Sequence, residues 1–343
     1  MLRGALIGLG NVALHGHLAG WRRRRDVEIV GGTDSRPEQR AVLVAHAPGT
    51  RWYGTTTELL AEASLDFVDI CTPPASHAPL IRSALERGLH VLCEKPLVGA
   101  LDDLAPLARL AAKTGRVLYT VHNWHHAPIV RRTTELVREG RIGRVNQVVW
   151  HTLRTRPAAV GDGHNGNWRV DPAVAGGGVL TDHGWHVFYV VQRWIGAPPV
   201  SVSATLERRR HLAWSVEDTA SVRVTFAEAT AEILLTWASD VRRNWAEVSG
   251  TAGVLELQDD TLVLKGDGRS ADLAWACPPA MSDGSHHPDW FDAVVSEFLA
   301  EAIGTAPRGA NLAEASLCVA LEHCARESSR RGGREIALSE VLT

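Results

Sequence analysis

The strongest constraint on this chain is a regular alternation in its first third. Short apolar runs at Leu2–Ile7, Val27–Gly32, Arg51–Tyr53, Phe67–Cys71, His90–Cys93 and Arg116–Val121 are separated by helix-compatible stretches at Val12–Arg24, Arg36–Ala47, Ala78–Arg87 and Ala100–Thr114. A shorter helix carries Glu58, Leu59 and Leu60, with Thr57 as its expected cap. A strand–helix unit of about 25 residues brings successive strands parallel, since the helix must cross back over the sheet before the next strand begins. The expected architecture is α/β, a parallel sheet with helices on both faces.

The pattern changes after residue 122. A helix over Ile129–Arg138 ends at Gly140, and Val145–Leu153 alternates as a strand. Arg156–Gly178 is irregular, and Val179–Trp194 is helical. Strand-like runs follow at Val200–Leu206, Thr219–Phe226, Thr230–Trp237 and Trp245–Gly250, then a hairpin of Val254–Leu257 and Leu262–Leu264. Strands in series without intervening helices predict an antiparallel or mixed sheet. Helices over Asp289–Ile303 and Leu312–Arg326 finish the chain. Two domains are expected, 1–122 and 123–343.

Composition excludes several function classes. Of 343 residues, 45% are hydrophobic and 22% charged, which excludes global disorder. A net charge of −3 gives no general pull toward nucleic acid or an anionic membrane. No apolar run is long enough to span a bilayer, and the N-terminus turns glycine-rich too soon for a secretion signal. Cys71, Cys93, Cys277, Cys318 and Cys324 are odd in number and lack C-x-x-C spacing, so buried free thiols and a cytoplasmic location are expected.

Gly8-Leu9-Gly10-Asn11-Val12-Ala13 follows the first strand and opens a helix. Gly8 permits the tight turn, Gly10 lets a pyrophosphate approach the backbone, and the helix start at Asn11 and Val12 offers N–H donors to phosphate. Asp34 ends the second strand 24 residues after Gly10, where a carboxylate accepts bonds from a ribose and repels a 2′-phosphate. This favours NAD, while Arg36 beside it keeps NADP in play. Glu94-Lys95-Pro96 sits at the carboxyl end of a parallel strand, the edge where such sheets bind ligands. An ammonium there can polarise a carbonyl or lower a hydroxyl's pKa. Asp182 and His186 are four apart, one turn apart on a shared helix face, and an imidazole near a carboxylate can shuttle a proton. His183 and Trp185 are expected to point elsewhere and pack.

These motifs, with Thr72-Pro73-Pro74, His77, Leu97 and Gly176-Gly177-Gly178-x-Leu180 in the same order, resemble the glucose–fructose oxidoreductase, inositol dehydrogenase and rhizopine-catabolism (Gfo/Idh/MocA) family over essentially the whole chain. The resemblance implies an N-terminal Rossmann domain that binds NAD(P), a C-terminal α/β domain on a large open, mostly antiparallel sheet, and a homodimer or homotetramer formed through that sheet. It implies NAD(P)-dependent oxidation or reduction of a sugar, cyclitol or related polyol. His186 would accept the substrate hydroxyl proton, Asp182 would bind and orient substrate, and Lys95 would assist. Thr72, Pro73, His77 and Glu94 would join the cofactor site. Asn123 follows the last Rossmann strand, where the family often has an aromatic–arginine pair facing substrate; this chain lacks the arginine. Trp168 and Arg169 are further substrate candidates.

No three-ligand metal spacing is present, although His122, His125 and His126, His183 and His186, and His286-His287 cluster, so no metal is expected. Two other functions fit the motifs: a lyase or epimerase that oxidises and re-reduces its substrate on tightly held NAD, and a non-catalytic NAD(P)-binding sensor.

Overall fold

Strands covered on both faces read as unbroken apolar runs, and the first sheet is made of these. A computed structural model of the chain describes residues 1–159, 166–266, 271–284 and 287–341. Strands β1 (Leu2–Ile7), β2 (Val27–Thr33), β3 (Arg51–Trp52), β4 (Phe67–Ile70), β5 (His90–Cys93) and β6 (Leu118–Thr120) form a sheet in the order β3-β2-β1-β4-β5-β6, every pair parallel. Strand order reverses between β1 and β4, so a crevice opens outside their carboxyl ends. Gly8, Asp34, Thr72 and Glu94 follow the ends of β1, β2, β4 and β5 along that edge.

The second sheet has nine strands. They are β7 (Val145–Leu153), β8 (Pro199–Glu207), β9 (Thr219–Phe226), β10 (Thr230–Thr236), β11 (Arg243–Gly250), β12 (Val254–Gln258), β13 (Thr261–Lys265), β14 (Leu273–Ala276) and β15 (Ile336–Ala337), in the order β14-β13-β12-β11-β7-β10-β9-β8-β15. All pairs are antiparallel except β7 with β10. The expected runs are present, and β14 and β15 add two edges. Neither has a readable alternation: β14 is largely exposed and β15 has two residues.

After β14 the chain returns to the first sheet. Helix Pro288–Ile303 sets Phe291, Val294, Val295 and Phe298 against Leu6, Trp21, Phe67 and Tyr119. Asn311, at the start of helix Ala310–Arg330, accepts from Thr120 N–H at 2.8 Å and donates to Thr120 O at 3.0 Å. It closes the open edge of β6 as a further strand would. At the third helix, Thr56–Glu62, the cap is Thr55 and not Thr57: Thr55 accepts from Glu58 N–H, and Glu58 reaches back to Gly54 N–H. The spacing of threonine three residues before glutamate selects Thr55. All five cysteines are free and buried. Among the described residues, no helix is long and apolar enough to cross a membrane.

Beneath the crevice lies a buried chain of charge. His17 Nδ1 contacts Asp69 Oδ2 at 2.9 Å, and its Nε2 contacts Glu94 Oε1 at 2.9 Å. Trp21 donates to the same Asp69 at 2.7 Å, and Phe291 stacks on the imidazole at 4.0 Å. With a carboxylate at each nitrogen, both nitrogens donate and the ring is an imidazolium. Burial works to lower its pKa, but Asp69 and the Cys71 sulfur outweigh burial and raise it well above the ordinary value. Stability from a raised histidine is complete below its unfolded pKa and is lost as pH climbs through the folded one. A His17→Leu substitution strands two buried carboxylates, so unfolding free energy falls by about 3–5 kcal/mol in urea titrations near neutral pH. The deficit shrinks on the alkaline side, and a loss below about 1 kcal/mol at neutral pH would contradict the charge chain.

Candidate active site

At the first βα turn Gly8 adopts φ +90°, and a Cβ there would meet Thr72 Cγ2 at 2.8 Å and the Cys71 carbonyl carbon at 2.9 Å. Gly10 differs: a Cβ on it would meet nothing within 4 Å. Its glycine is therefore not required by packing within the chain, and the open space beside it fits a pyrophosphate against the backbone. Leu14 N–H bonds Gly10 O, and the N–H groups of Asn11 and Val12 precede this closure. Asp34 Oδ2 accepts from Leu9 N–H at 2.7 Å, and its Oδ1 accepts from Arg36 N–H at 2.9 Å and Arg36 Nε at 3.0 Å. Burial tends to raise the Asp34 carboxyl, yet the Arg36 side chain and the two N–H groups hold it below the ordinary range. The acid is thus ionised and fixed at the turn. These residues fit a dinucleotide.

Thr72 and Pro73 form the turn after β4, opposite Gly8. His77 is fully buried beneath it, with Nε2 at 2.8 Å from Thr72 O and Nδ1 at 2.8 Å from Pro96 O. It clasps the Thr72 turn to the Lys95–Pro96 turn, whose peptide is cis. Glu94 does not face the crevice alone: one oxygen meets His17, and the other accepts from Lys95 N–H at 3.0 Å. His77 and Glu94 therefore act on the site through the backbone around Lys95.

Lys95 Nζ donates to Asp182 Oδ1 at 2.9 Å and to Asp182 O at 2.7 Å. This joins the edge of the first sheet to the helical segment of the second domain. The segment begins as a π-helical turn, Leu180–Gly184, and continues as an α-helix, Trp185–Ile195. Its approach is set by Gly178, where a Cβ would lie 2.0 Å from Glu217 O. Glu217 accepts from Gly178 N–H at 3.0 Å and is itself held by Arg326 at 3.1 Å. Burial alone would raise the Asp182 carboxyl; Lys95, then His183 and Arg169, hold it well below the ordinary range.

His186 lies one turn on, buried. Trp124 stacks on its ring at 4.5 Å and 9°, and Nδ1 is 2.8 Å from the Tyr189 hydroxyl, which also accepts from Trp124 N–H. No bond to its Nε2 is made by any described residue. Burial, with Lys95 and His183 adding repulsion, pushes its pKa well below the ordinary value, so the imidazole is neutral near pH 7. His183 departs from expectation. Its Nε2 is 3.6 Å from Asp182 Oδ2, and burial takes its pKa down to about 3. Trp185 is buried, as expected.

Arg169 Nε stands 3.8 Å from Asp182 Oδ2, and its guanidinium lies over the Trp168 ring at 4.3 Å. Both residues line the cleft that holds Lys95 and Asp182. Asn123 sits in the turn after β6 with a buried Oδ1 that has no partner among the described residues. Tyr189 and Trp124 were not singled out by spacing, although Tyr189 at three residues after His186 shares its helix face. His122 and His125 meet Glu314 rather than His126, at 2.7 and 2.9 Å. That cluster and His17–Asp69–Cys71 bring potential metal ligands close, and in both the carboxylate is already bonded to histidine. His286 lies outside the described residues.

Comparison with known proteins gives consistent matches. The family model for the oxidoreductase family with an NAD-binding Rossmann fold matches residues 2–122, and that for the GFO/IDH/MocA C-terminal domain matches residues 130–256. D-xylose 1-dehydrogenase (NADP(+)) 2 of Haloferax volcanii is 35% identical over 176 residues, 51% of this chain and 52% of that one. D-glucoside 3-dehydrogenase of Escherichia coli is 32% identical over 208 residues, 59% of this chain and 57% of that one. The chain thus spans about half the length of these curated relatives. The structure of levoglucosan dehydrogenase, a complex with NADH and L-sorbose, is similar in fold with a TM-score of 0.85 at 20% identity, covering 98% of each chain. With both of the family's domains matched in order along a chain whose two sheets meet at Lys95 and Asp182, this protein belongs to the GFO/IDH/MocA oxidoreductase family.

Proposed function

We propose that the chain is an NAD-dependent dehydrogenase that interconverts a secondary hydroxyl and a ketone on a sugar, cyclitol or related polyol. The observation that carries this reading is the Lys95–Asp182 contact beside a neutral, buried His186 at the carboxyl edge of the first sheet. Bound NAD supplies the hydride acceptor, held by Gly8, Gly10 and Asp34 and by the turns at Thr72 and Lys95. The chain's own residues handle binding and the proton. Lys95 stabilises the substrate oxygen as negative charge develops, and Asp182 fixes the ammonium and accepts from a neighbouring hydroxyl. His186 Nε2 accepts the hydroxyl proton, with the ring held by Trp124 and Tyr189. Relatives named for xylose and glucoside oxidation support a sugar-like substrate. The half-buried outer face of the second sheet, with Val149, His151 and Trp245, supports self-association through that face.

Nicotinamide absorbance with NAD and a pool of polyols tests the activity. Replacing Lys95 by Ala lowers kcat by about 10²–10⁴-fold with the fold retained; wild-type kcat in that variant would sink the reading. The acidic limb of kcat/KM falls below the ordinary histidine value of 6.5, because His186 stays neutral there. A limb at or above that value would contradict the role given to His186. Fluorescence titration finds NADH bound more tightly than NADPH, and replacing Asp34 by Ala narrows the gap; tighter NADPH binding by the wild type would refute the assignment of NAD.

A further inference from the structure

Around Asp182 there is more positive charge than the proposed chemistry uses. Asp182 is the carboxylate shared by Lys95 and Arg169, with Arg169 Nε at 3.8 Å, beyond hydrogen-bond reach, and left with no acceptor among the described residues. A third cation, Arg154, follows β7 and is 2% exposed. It lies on the sheet rim that seats the Asp182 segment. Arg154 N–H bonds Thr236 O at 2.8 Å, the adjoining Trp237 N–H bonds Asp218 O at 2.7 Å, and the neighbouring Glu217 O accepts from Val179 N–H at 3.1 Å. Its charge acts on His183 and is acted on by Asp182.

A buried guanidinium is ordinarily paired with a carboxylate. Among the described residues Arg154 has none within ion-pair distance. Its Nη1 donates to Leu153 O at 2.8 Å and Arg243 O at 3.1 Å, and its Nη2 donates to Asn244 Oδ1 at 3.2 Å. A guanidinium has five N–H groups; three are bonded, and among the described residues Nε has no acceptor and Nη2 has one for its two hydrogens. Burial, with Arg242 adding repulsion and only Asp259 and Asp182 opposing, pulls its pKa down to about 10. Two free N–H groups on one planar fork match the two oxygens of a carboxylate.

We propose that the substrate is a carboxylated polyol, an aldonic or uronic acid, whose carboxylate is received by Arg154 and Arg169 while its hydroxyl faces Lys95 and His186. This rests on the dehydrogenase reading of the cleft. The test pairs D-glucose with D-gluconate and D-glucuronate, and D-galactose with D-galacturonate, with D-glucose 6-phosphate as the phosphate arm. Turnover with NAD and thermal shift with NADH are both measured at fixed ionic strength. Carboxylated members are expected to give the higher kcat/KM and the larger shift. Arg169→Gln, which leaves the bonds of Arg154 to the backbone intact, reduces the preference for the carboxylated member by about tenfold or more. Arg154→Gln does the same if it folds. A wild type that prefers the neutral sugars or the phosphate ester, or an Arg169→Gln variant that keeps the wild-type preference, overturns the proposal. Carboxylate-selective binding without turnover of any sugar would uphold it while removing the dehydrogenase reading.

Discussion

The Lys95–Asp182 ion pair is the contact on which the rest of the site depends. It is made across 87 residues of sequence, between a strand end in one sheet and a helical turn seated on the other. Each partner is placed before they meet. Lys95 is fixed from behind by Glu94, which His17 holds, and from the side by the His77 clasp between Thr72 and Pro96. Asp182 is fixed by Gly178, which lets the chain lie against Glu217, and by Arg326, which neutralises Glu217. A partly buried pair repays its desolvation only when its geometry is held, and here both backbones are held by buried side chains.

The pair also sets the electrostatics of its neighbours. Burial keeps the two imidazoles beside the pair neutral, Lys95 adds repulsion at both, and the ionised Asp182 pulls the other way without prevailing. The outcome is a cation and a neutral base side by side, the combination that a hydroxyl losing its proton requires. Asp182 hydrogen-bonds one cation, Lys95, and among the described residues Arg169 Nε and Arg154 Nε have no acceptor.

How much of this was legible in the sequence follows the range of the interactions. Short-range patterns located the six parallel strands and most strands of the second sheet, and they singled out Gly8, Asp34, Lys95, Asp182 and His186 as candidates. They also failed locally in two places. Thr57 was the expected cap, and the partner glutamate selects Thr55. The segment of Asp182 was expected as α and begins as a π turn, and His183, expected to pack elsewhere, stands 3.6 Å from Asp182. Long-range pairings left no local signal. Nothing near His17 announces Asp69 and Glu94, nothing near Thr120 announces Asn311, and Arg154 reads as one more basic residue after a strand. Buried polar groups are paired by the whole fold, so spacing along the chain does not reveal them.

The central claim is that the cleft moves a hydride to a dinucleotide while its side chains move a proton. Incubating the protein with NAD and a substrate deuterated at its hydroxyl-bearing carbons, then weighing the nicotinamide product, tests this directly. The account predicts that deuterium appears in the reduced nicotinamide and stays there in ordinary water. Substrate that is transformed while its deuterium is lost to solvent, with no labelled reduced nicotinamide released, would contradict it.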